Sequence, residues 1–348
     1  MGLVQQYPAL NRPSAPVCSV CIANYNGAAI LDECIASVLA QRIDGDVEII
    51  VHDDASTDSS IALLRERYPQ VELLASRENV GFCAGNNRMA NHARGEYILL
   101  LNNDAALYPG ALETLVGAAR ASGRPGILTL PQYDWESGKL VDRGCLLDPF
   151  CNPIPNLDPK QYQVAYVIGA CMFLPHTIWN DLGGLPEWFG SIAEDMYLCG
   201  LARSRGLPVT ALAASGYRHR QGATFGGNRA ESGINTSIRR RHLSERNKTR
   251  VLMIFTPGLL MWPLLFLHIV ALALEGSALS IVRGDATLLR DVYGPAVMTP
   301  FREWTILRTR RREVQAARTI SIPEWFSTTR CQLRKVVMLL RYGVPKVR

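Results

Sequence analysis

From residue 17 to residue 101 the chain alternates short, almost unbroken apolar runs with longer stretches whose apolar residues recur every three or four positions. The pattern predicts strands over 17–23, 47–52, 71–75 and 97–101, and helices over 29–41, 60–68 and 85–93. The first helix would bury Ile30, Leu31, Ile35, Val38 and Leu39 on one face. Continuous apolar strands separated by amphipathic helices imply an α/β fold with a mainly parallel sheet covered on both faces. Such sheets bind ligands beyond the carboxyl ends of their strands, so the residues that follow each strand carry the functional information.

Those residues are polar throughout. Asn24-Tyr25-Asn26-Gly27 follows the first strand and Asp53-Asp54-Ala55-Ser56-Thr57-Asp58 the second. The third leads into Arg77-Glu78-Asn79-Val80-Gly81-Phe82 and Gly85-Asn86-Asn87, and the fourth ends in Asn102-Asn103-Asp104. Four polar clusters at one sheet edge suit a polar, anionic ligand. The absence of GxGxxG after the first strand argues against a dinucleotide-binding oxidoreductase. Residues 1–14 read as a polar lead-in, and 125–185 is rich in Pro and Gly. It contains the run 164–174, broken at Gly169-Ala170-Cys171, and is followed by a helix starting near Glu194-Asp195.

Charge divides the chain. The 348 residues carry a net +6, yet residues 1–235 hold 17 Lys+Arg against 24 Asp+Glu (−7), and 236–348 hold 20 against 7 (+13). This division suggests a main domain over 15–235 and a basic helical region over 236–348. Arg239, Arg240, Arg241, Arg246, Lys248 and Arg250 precede 251–274, which has no Asp, Glu, Lys or Arg. That stretch is long enough to cross a bilayer, but Pro257, Gly258, Pro263 and His268 interrupt it. A span, an interfacial element and a core helix all remain open, with the arginines directed at anionic headgroups in the first two. The C-terminal aromatics mix with aliphatics instead of forming a base-stacking platform, which sets nucleic acid aside. Nine cysteines without disulfide-like spacing read as reduced, buried thiols. Cys18 and Cys21 form a CxxC inside a strand, not at a helix start. Reduced thiols and the lack of a secretory signal place the expectation in the cytoplasm.

Taken together, these clusters resemble the family 2 inverting glycosyltransferases of the GT-A fold, most closely the rhamnosyltransferase-like branch that builds bacterial cell-surface polysaccharides. The resemblance runs from about residue 17 to 250 and rests on Asn24–Gly27, Asp53–Asp58, Asn79–Phe82 with Gly85–Asn87, and Leu101–Asp104. Gly169–Met172, Gly183-Gly184 and Glu194-Asp195 complete it. It implies a nucleotide-diphospho-sugar transferase: a mixed, mainly parallel sheet with flanking helices, followed by the basic, partly apolar C-terminal helical region. It also implies a nucleotide-sugar donor, Mg²⁺ or Mn²⁺, and a lipid-linked or polymeric glycan acceptor met at the cytoplasmic face of the membrane.

By the same resemblance, Asp53 holds the nucleotide with support from Asp54, and Asn24, Asn26, Arg77, Asn79, Asn87 and Asn103 complete the donor site. Asp104 occupies the place of the family's DxD motif and would bind the metal with His219, although position 102 is Asn. Asp195 is the expected catalytic base, oriented by Glu194. An inverting enzyme needs one carboxylate to take the acceptor proton during in-line attack. Arg246 matches a segment that contacts donor or acceptor phosphates, a membrane-facing charge being the alternative. Trp179, Trp188 and Phe189 could stack on a sugar or pack in the core. The rival functions are a nucleotidyltransferase of similar fold, which would need a cation in the Asn24–Gly27 loop, and a non-catalytic glycan-binding protein on a degenerate scaffold.

Overall fold

A computed structural model describes residues 4–220, 235–344 and 346–347. Contacts divide the chain into two compact units. The first comprises the described residues up to Gly144, Pro155–Ala202 and Leu207–Arg220. The second comprises Cys145–Ile154, Arg203–Gly206 and the described residues beyond 234. The segments 145–154 and 203–206 thus belong with the C-terminal helices, a division that a single linear boundary at 235/236 does not capture. Gln221 and Gly222, which continue the Tyr217–Arg220 motif, lie outside the described residues.

In chain order the elements begin β1 (Val4–Tyr7), β2 (Cys18–Asn24), α1 (Ala28–Leu39), β3 (Val47–Asp53), α2 (Ser60–Arg67), β4 (Glu72–Ser76) and α3 (Phe82–His92). They continue with β5 (Tyr97–Asn102), β6 (Ala105–Leu107), α4 (Ala111–Ala121), β7 (Ile127–Thr129), β8 (Gln132–Asp134), β9 (Leu140–Asp142), β10 (Cys145–Leu147) and β11 (Pro153–Pro155). After these come β12 (Cys171–Pro175), α5 (His176–Leu182), α6 (Glu194–Ser204), β13 (Val209–Ala211) and β14 (Tyr217–His219).

The main sheet has the order β1-β4-β3-β2-β5-β12-β7-β13. Strands β4, β3, β2 and β5 are parallel, whereas β12 runs antiparallel to β5. Cys18, Val20, Ile22, Leu99 and Leu101 fill its centre and are 0–1% exposed, with Leu31, Cys34 and Ile35 of α1 packed on them. Burial drives the Cys18 and Cys21 thiols well above their ordinary range, so this CxxC is core and not redox machinery. The polar lead-in contains an edge strand, since Val4–Tyr7 pairs antiparallel with Leu73–Ser76. Its alternating half-exposure hides it from a search for apolar runs. A second sheet, β6-β14-β8-β9, comes from segments too short to carry a period.

The second unit is helical: α7 (Ile238–Phe255), α8 (Met261–Arg283), α9 (Gly294–Arg302), α10 (Trp304–Ala316), α11 (Ile322–Phe326) and α12 (Arg334–Tyr342). The uncharged run 251–274 is divided between two helices. Thr256 turns to extended backbone before Pro257, which has no N–H to continue α7. Val251–Phe255 is core, and among the described residues one helix, Gly258–Arg283, is long and apolar enough to cross a membrane. On it Met261, Leu265, His268, Leu272, Gly276 and Leu279 are buried at helical spacing, while Trp262, Phe266, Leu267 and Leu274 on other faces are exposed.

The basic cluster is not one lipid-facing patch. Lys248 and Arg250 are buried, and charges from α7 converge in an internal network. Glu245 lies 3.0 Å from Lys248 Nζ and 2.8 Å from Lys335 Nζ. Arg241 and Lys335 meet Glu275 at 2.7 and 2.6 Å, and Arg250 grips Glu303 through Nε and Nη2 at 2.8 and 2.7 Å. Burial raises the Glu245 carboxyl, but Lys248, Lys335 and Arg241 outweigh it and hold the group well below the usual carboxylate range.

Candidate active site

The chain adds β3 and β4 on one side of β2 and then returns to place β5 on the other. This reversal opens a crevice at the carboxyl ends of β2, β3 and β5, where Asn24, Asp53 and Asn102 stand. Hydrogen bonds join these ends. Asn24 Nδ2 donates to Asp53 Oδ2 at 2.8 Å, and Asn103 Nδ2 donates to Asn24 Oδ1 at 2.8 Å. A Cβ on Gly27 would sit 2.2 Å from Asn24 Oδ1 and 2.4 Å from Asn103 Nδ2, so glycine alone allows this approach. Two non-glycine residues of the same rim, Asn26 and Ala55, adopt left-handed backbone. Strain of this kind persists where surrounding structure over-determines it, as it does at binding sites.

Some expected ligand-binding residues are committed within the protein. Asp53 is fully buried; Oδ1 accepts from Ser56 N at 2.9 Å, and Oδ2 accepts from Asn24 and from Ser56 Oγ at 2.7 Å. Three of the carboxylate's roughly four acceptor positions are thereby filled, leaving one on Oδ1 for a ligand. Asp54 departs from the expected supporting role at the donor. Its oxygens accept from Val80 N at 2.7 Å and Gly81 N at 2.9 Å, which ties down the 79–81 loop. Asn87 also differs: it exchanges two 2.9 Å bonds with the Leu185 backbone and donates to Glu187 at 3.0 Å. Asn26, Arg77 and Asn79 are exposed at the crevice rim, with Asn79 Nδ2 donating to Asp54 O at 3.3 Å.

Asp104 and His219 are brought together from β6 and β14, which pair directly. Asp104 Oδ1 is 3.0 Å from His219 Nε2, and both side chains are largely buried. Gln132, which the sequence did not flag, fixes the imidazole. Its Oε1 accepts from Tyr217 OH at 2.8 Å and from His219 Nδ1 at 3.2 Å, while its Nε2 donates to Asp142 at 3.3 Å. Burial pushes the Asp142 carboxyl up to about 7, against the Gly144 N–H and the charge of His219. His219 Nε2 faces the Asp104 carboxylate, so either a shared proton or a cation can join the two side chains. The 3.0 Å separation suits neighbouring ligands of an octahedral cation with bonds of about 2.1 Å. No cluster of three or more His, Cys, Asp or Glu occurs among the described residues. A cation held by this pair would need further ligands, of the kind that phosphate oxygens or water supply.

Asp195 lies in the first turn of α6. Its Oδ2 accepts from Gly169 N at 3.3 Å, and Ala170 O in turn accepts from Asn102 N at 3.2 Å. The broken run 164–174 thus carries the candidate base to the end of β5. Glu194 beside it is buried, and the preceding Ile192 and Ala193 both have left-handed backbone, φ +69° and +67°. For a β-branched residue this is a true outlier, aiming α6 at the crevice. Trp179 and Phe189 are core, whereas Trp188 is half-buried with its ring edge-on to Phe189 and Tyr197. Trp135 was also missed: the guanidinium groups of Arg218 and Arg220 lie 4.2 and 4.1 Å from its ring centre. Arg246 belongs to the second unit, where its Nε donates to Asn247 at 3.2 Å.

Residues 19–177, a little under half of the chain, match the family model described as Glycosyl transferase family 2, and the fold is of the GT-A type. Two relatives from Mycobacterium tuberculosis are similar to the chain. An uncharacterised protein is 36% identical over 105 residues, covering 30% of this chain and only 33% of that protein. An N-acetylglucosaminyl-diphospho-decaprenol L-rhamnosyltransferase is 25% identical over 212 residues, 52% of this chain and 69% of that enzyme. Among solved structures, GalNAc-T7 with UDP, GalNAc and Mn²⁺ shares the fold with a TM-score of 0.63 at 13% identity, over 95% of this chain and 59% of that one.

Proposed function

We propose that the protein is a metal-dependent inverting glycosyltransferase that moves a sugar, rhamnose being the leading candidate, from a nucleoside-diphosphate donor to a lipid-linked glycan in cell-surface polysaccharide synthesis. One observation supports this reading: contacts run from Asp195 through Gly169 and Ala170 to Asn102, whose Nδ2 is 3.5 Å from His219 Nε2, itself 3.0 Å from Asp104. The printed activity of the rhamnosyltransferase relative and the UDP and Mn²⁺ of the GalNAc-T7 structure support the substrate class.

The nucleoside lies against Asn24, Asn26, Asp53, Asn103 and the exposed rim of Arg77 and Asn79. Asp104 and His219 would hold Mg²⁺ or Mn²⁺, which would supply counter-charge to the leaving diphosphate. Asp195 takes the acceptor hydroxyl's proton as that oxygen attacks the anomeric carbon from the face opposite the diphosphate. Glu194 positions Asp195. The second unit associates with the cytoplasmic face of the membrane through the exposed apolar side of α8, a helix apolar on nearly every face. A panel of nucleotide sugars offered with a polyprenyl-diphosphate-linked acceptor tests the proposal. Release of nucleoside diphosphate from at least one donor, abolished by EDTA, is expected; no release from any donor contradicts it.

A further inference from the structure

The second unit contains an open groove of about 580 Å³ between the start of α8 and α10. Leu307 and Met261 form its apolar floor, and Trp262 and Trp304, with ring centres 5.9 Å apart, stand at its mouth. Arg308, Arg311, Arg312 and Arg318 line it, and no Asp or Glu does so among the described residues. Like charges gathered in one groove repel, and a bound anion would relieve that repulsion.

The four arginines differ in how far the fold uses them. Arg311 donates to Met253 O at 2.8 Å and to Thr256 O and Gly258 O at 2.6 Å, which fixes the turn between α7 and α8. Burial and then the charge of Arg318 push its guanidinium below the ordinary value. Arg318 donates through Nη1 to Ile320 O at 2.5 Å, but its buried Nε has no acceptor among the described residues. Arg308 and Arg312, one helical turn apart, are exposed. Their neighbour Arg310 lies outside the groove and pairs with Glu313 at 2.9 Å.

The groove is continuous with bare hydrocarbon-like surface: Leu259 is 82% exposed, Phe266 67% and Leu274 66%. A soluble anion would gain nothing from that surface, whereas a membrane lipid would use both. Tryptophans at the boundary of charge and apolar surface sit at the headgroup level of a bilayer. We propose that this groove is a headgroup site for an anionic phospholipid. Its phosphate is held by Arg308 and Arg312, with Arg318 lining the groove beside them, and its chains lie along α8. The proposal rests on the membrane association of the second unit and assigns the residues that read the lipid.

The test is co-sedimentation of the full chain with vesicles of phosphatidylcholine alone, or with about a third of the lipid as phosphatidylglycerol. Arg308→Gln with Arg312→Gln is expected to weaken binding to the phosphatidylglycerol vesicles by about ten-fold or more, against about two-fold or less for Arg310→Gln. Equal losses in the two variants overturn the groove while leaving membrane association standing, as does equal binding of the wild type to both vesicles. No binding to either vesicle overturns the membrane reading and this inference together. Displacement by millimolar inorganic phosphate, but not by chloride of the same ionic strength, assigns the groove to a soluble anion and overturns the lipid.

Discussion

Asp195→Asn is expected to retain donor binding and to lose turnover by ~10²–10⁴-fold. Asparagine keeps the shape of the side chain and an oxygen that can accept from Gly169 N, as Asp195 Oδ2 does at 3.3 Å. What disappears is the basic lone pair that takes the acceptor proton. The proposed donor contacts lie at and just beyond the ends of β2, β3, β4 and β5, away from α6, so the KM for nucleotide sugar should stay within a few-fold while kcat falls. Glu194→Gln should cost less, because Glu194 acts through its neighbour. Steady-state kinetics on the two variants separate these roles, and a near-wild-type kcat in Asp195→Asn removes Asp195 as the base.

Glu245→Gln is expected to destabilise the second unit by about 3–5 kcal/mol, the usual cost of leaving buried charge without its partner. Glu245 is 3% exposed and serves as counter-ion to Lys248, which is 5% exposed, and to Lys335. Glutamine preserves volume, so any loss is electrostatic. The pH dependence has a definite sign. A carboxyl held below its unfolded value contributes stability that is present above the ordinary glutamate range and is lost as pH falls through it. Urea unfolding of the wild type should therefore weaken on acidification more steeply than that of Glu245→Gln. A difference at neutral pH under about 1 kcal/mol would show that the network contributes little.

The parallel core of the sheet was legible because β2, β3, β4 and β5 are continuous apolar runs, and burial on both faces demands such runs. The ends of those runs also placed Asn24, Asp53 and Asn102 at the carboxyl edge of the sheet without any need for distances. Three things escaped, each for a physical reason. Strand β1 is half-exposed and polar, and β6–β9 and β14 are three residues each, too short for any period to register. The pairing of His219 with Gln132 depends on β14 lying parallel to β8, a contact between segments about 85 residues apart. The cations of α7 read as a lipid-facing patch because sequence gives charge but not partners. Glu245, Glu275 and Glu303 neutralise several of them from positions up to 53 residues away. Asp54 and Asn87 show the same limit, since a polar side chain at a sheet edge ties loops as readily as it binds ligands.

The account depends most on Asp104 and His219 forming a metal-assisted seat for a diphosphate. Isothermal titration calorimetry of UDP and dTDP, with and without Mn²⁺, measures this directly on the wild type and on Asp104→Asn. One of the nucleotides should bind the wild type at least about ten-fold more tightly when Mn²⁺ is present, and the gain should vanish in Asp104→Asn. Nucleotide binding that ignores Mn²⁺, or a gain that survives the substitution intact, would contradict the account.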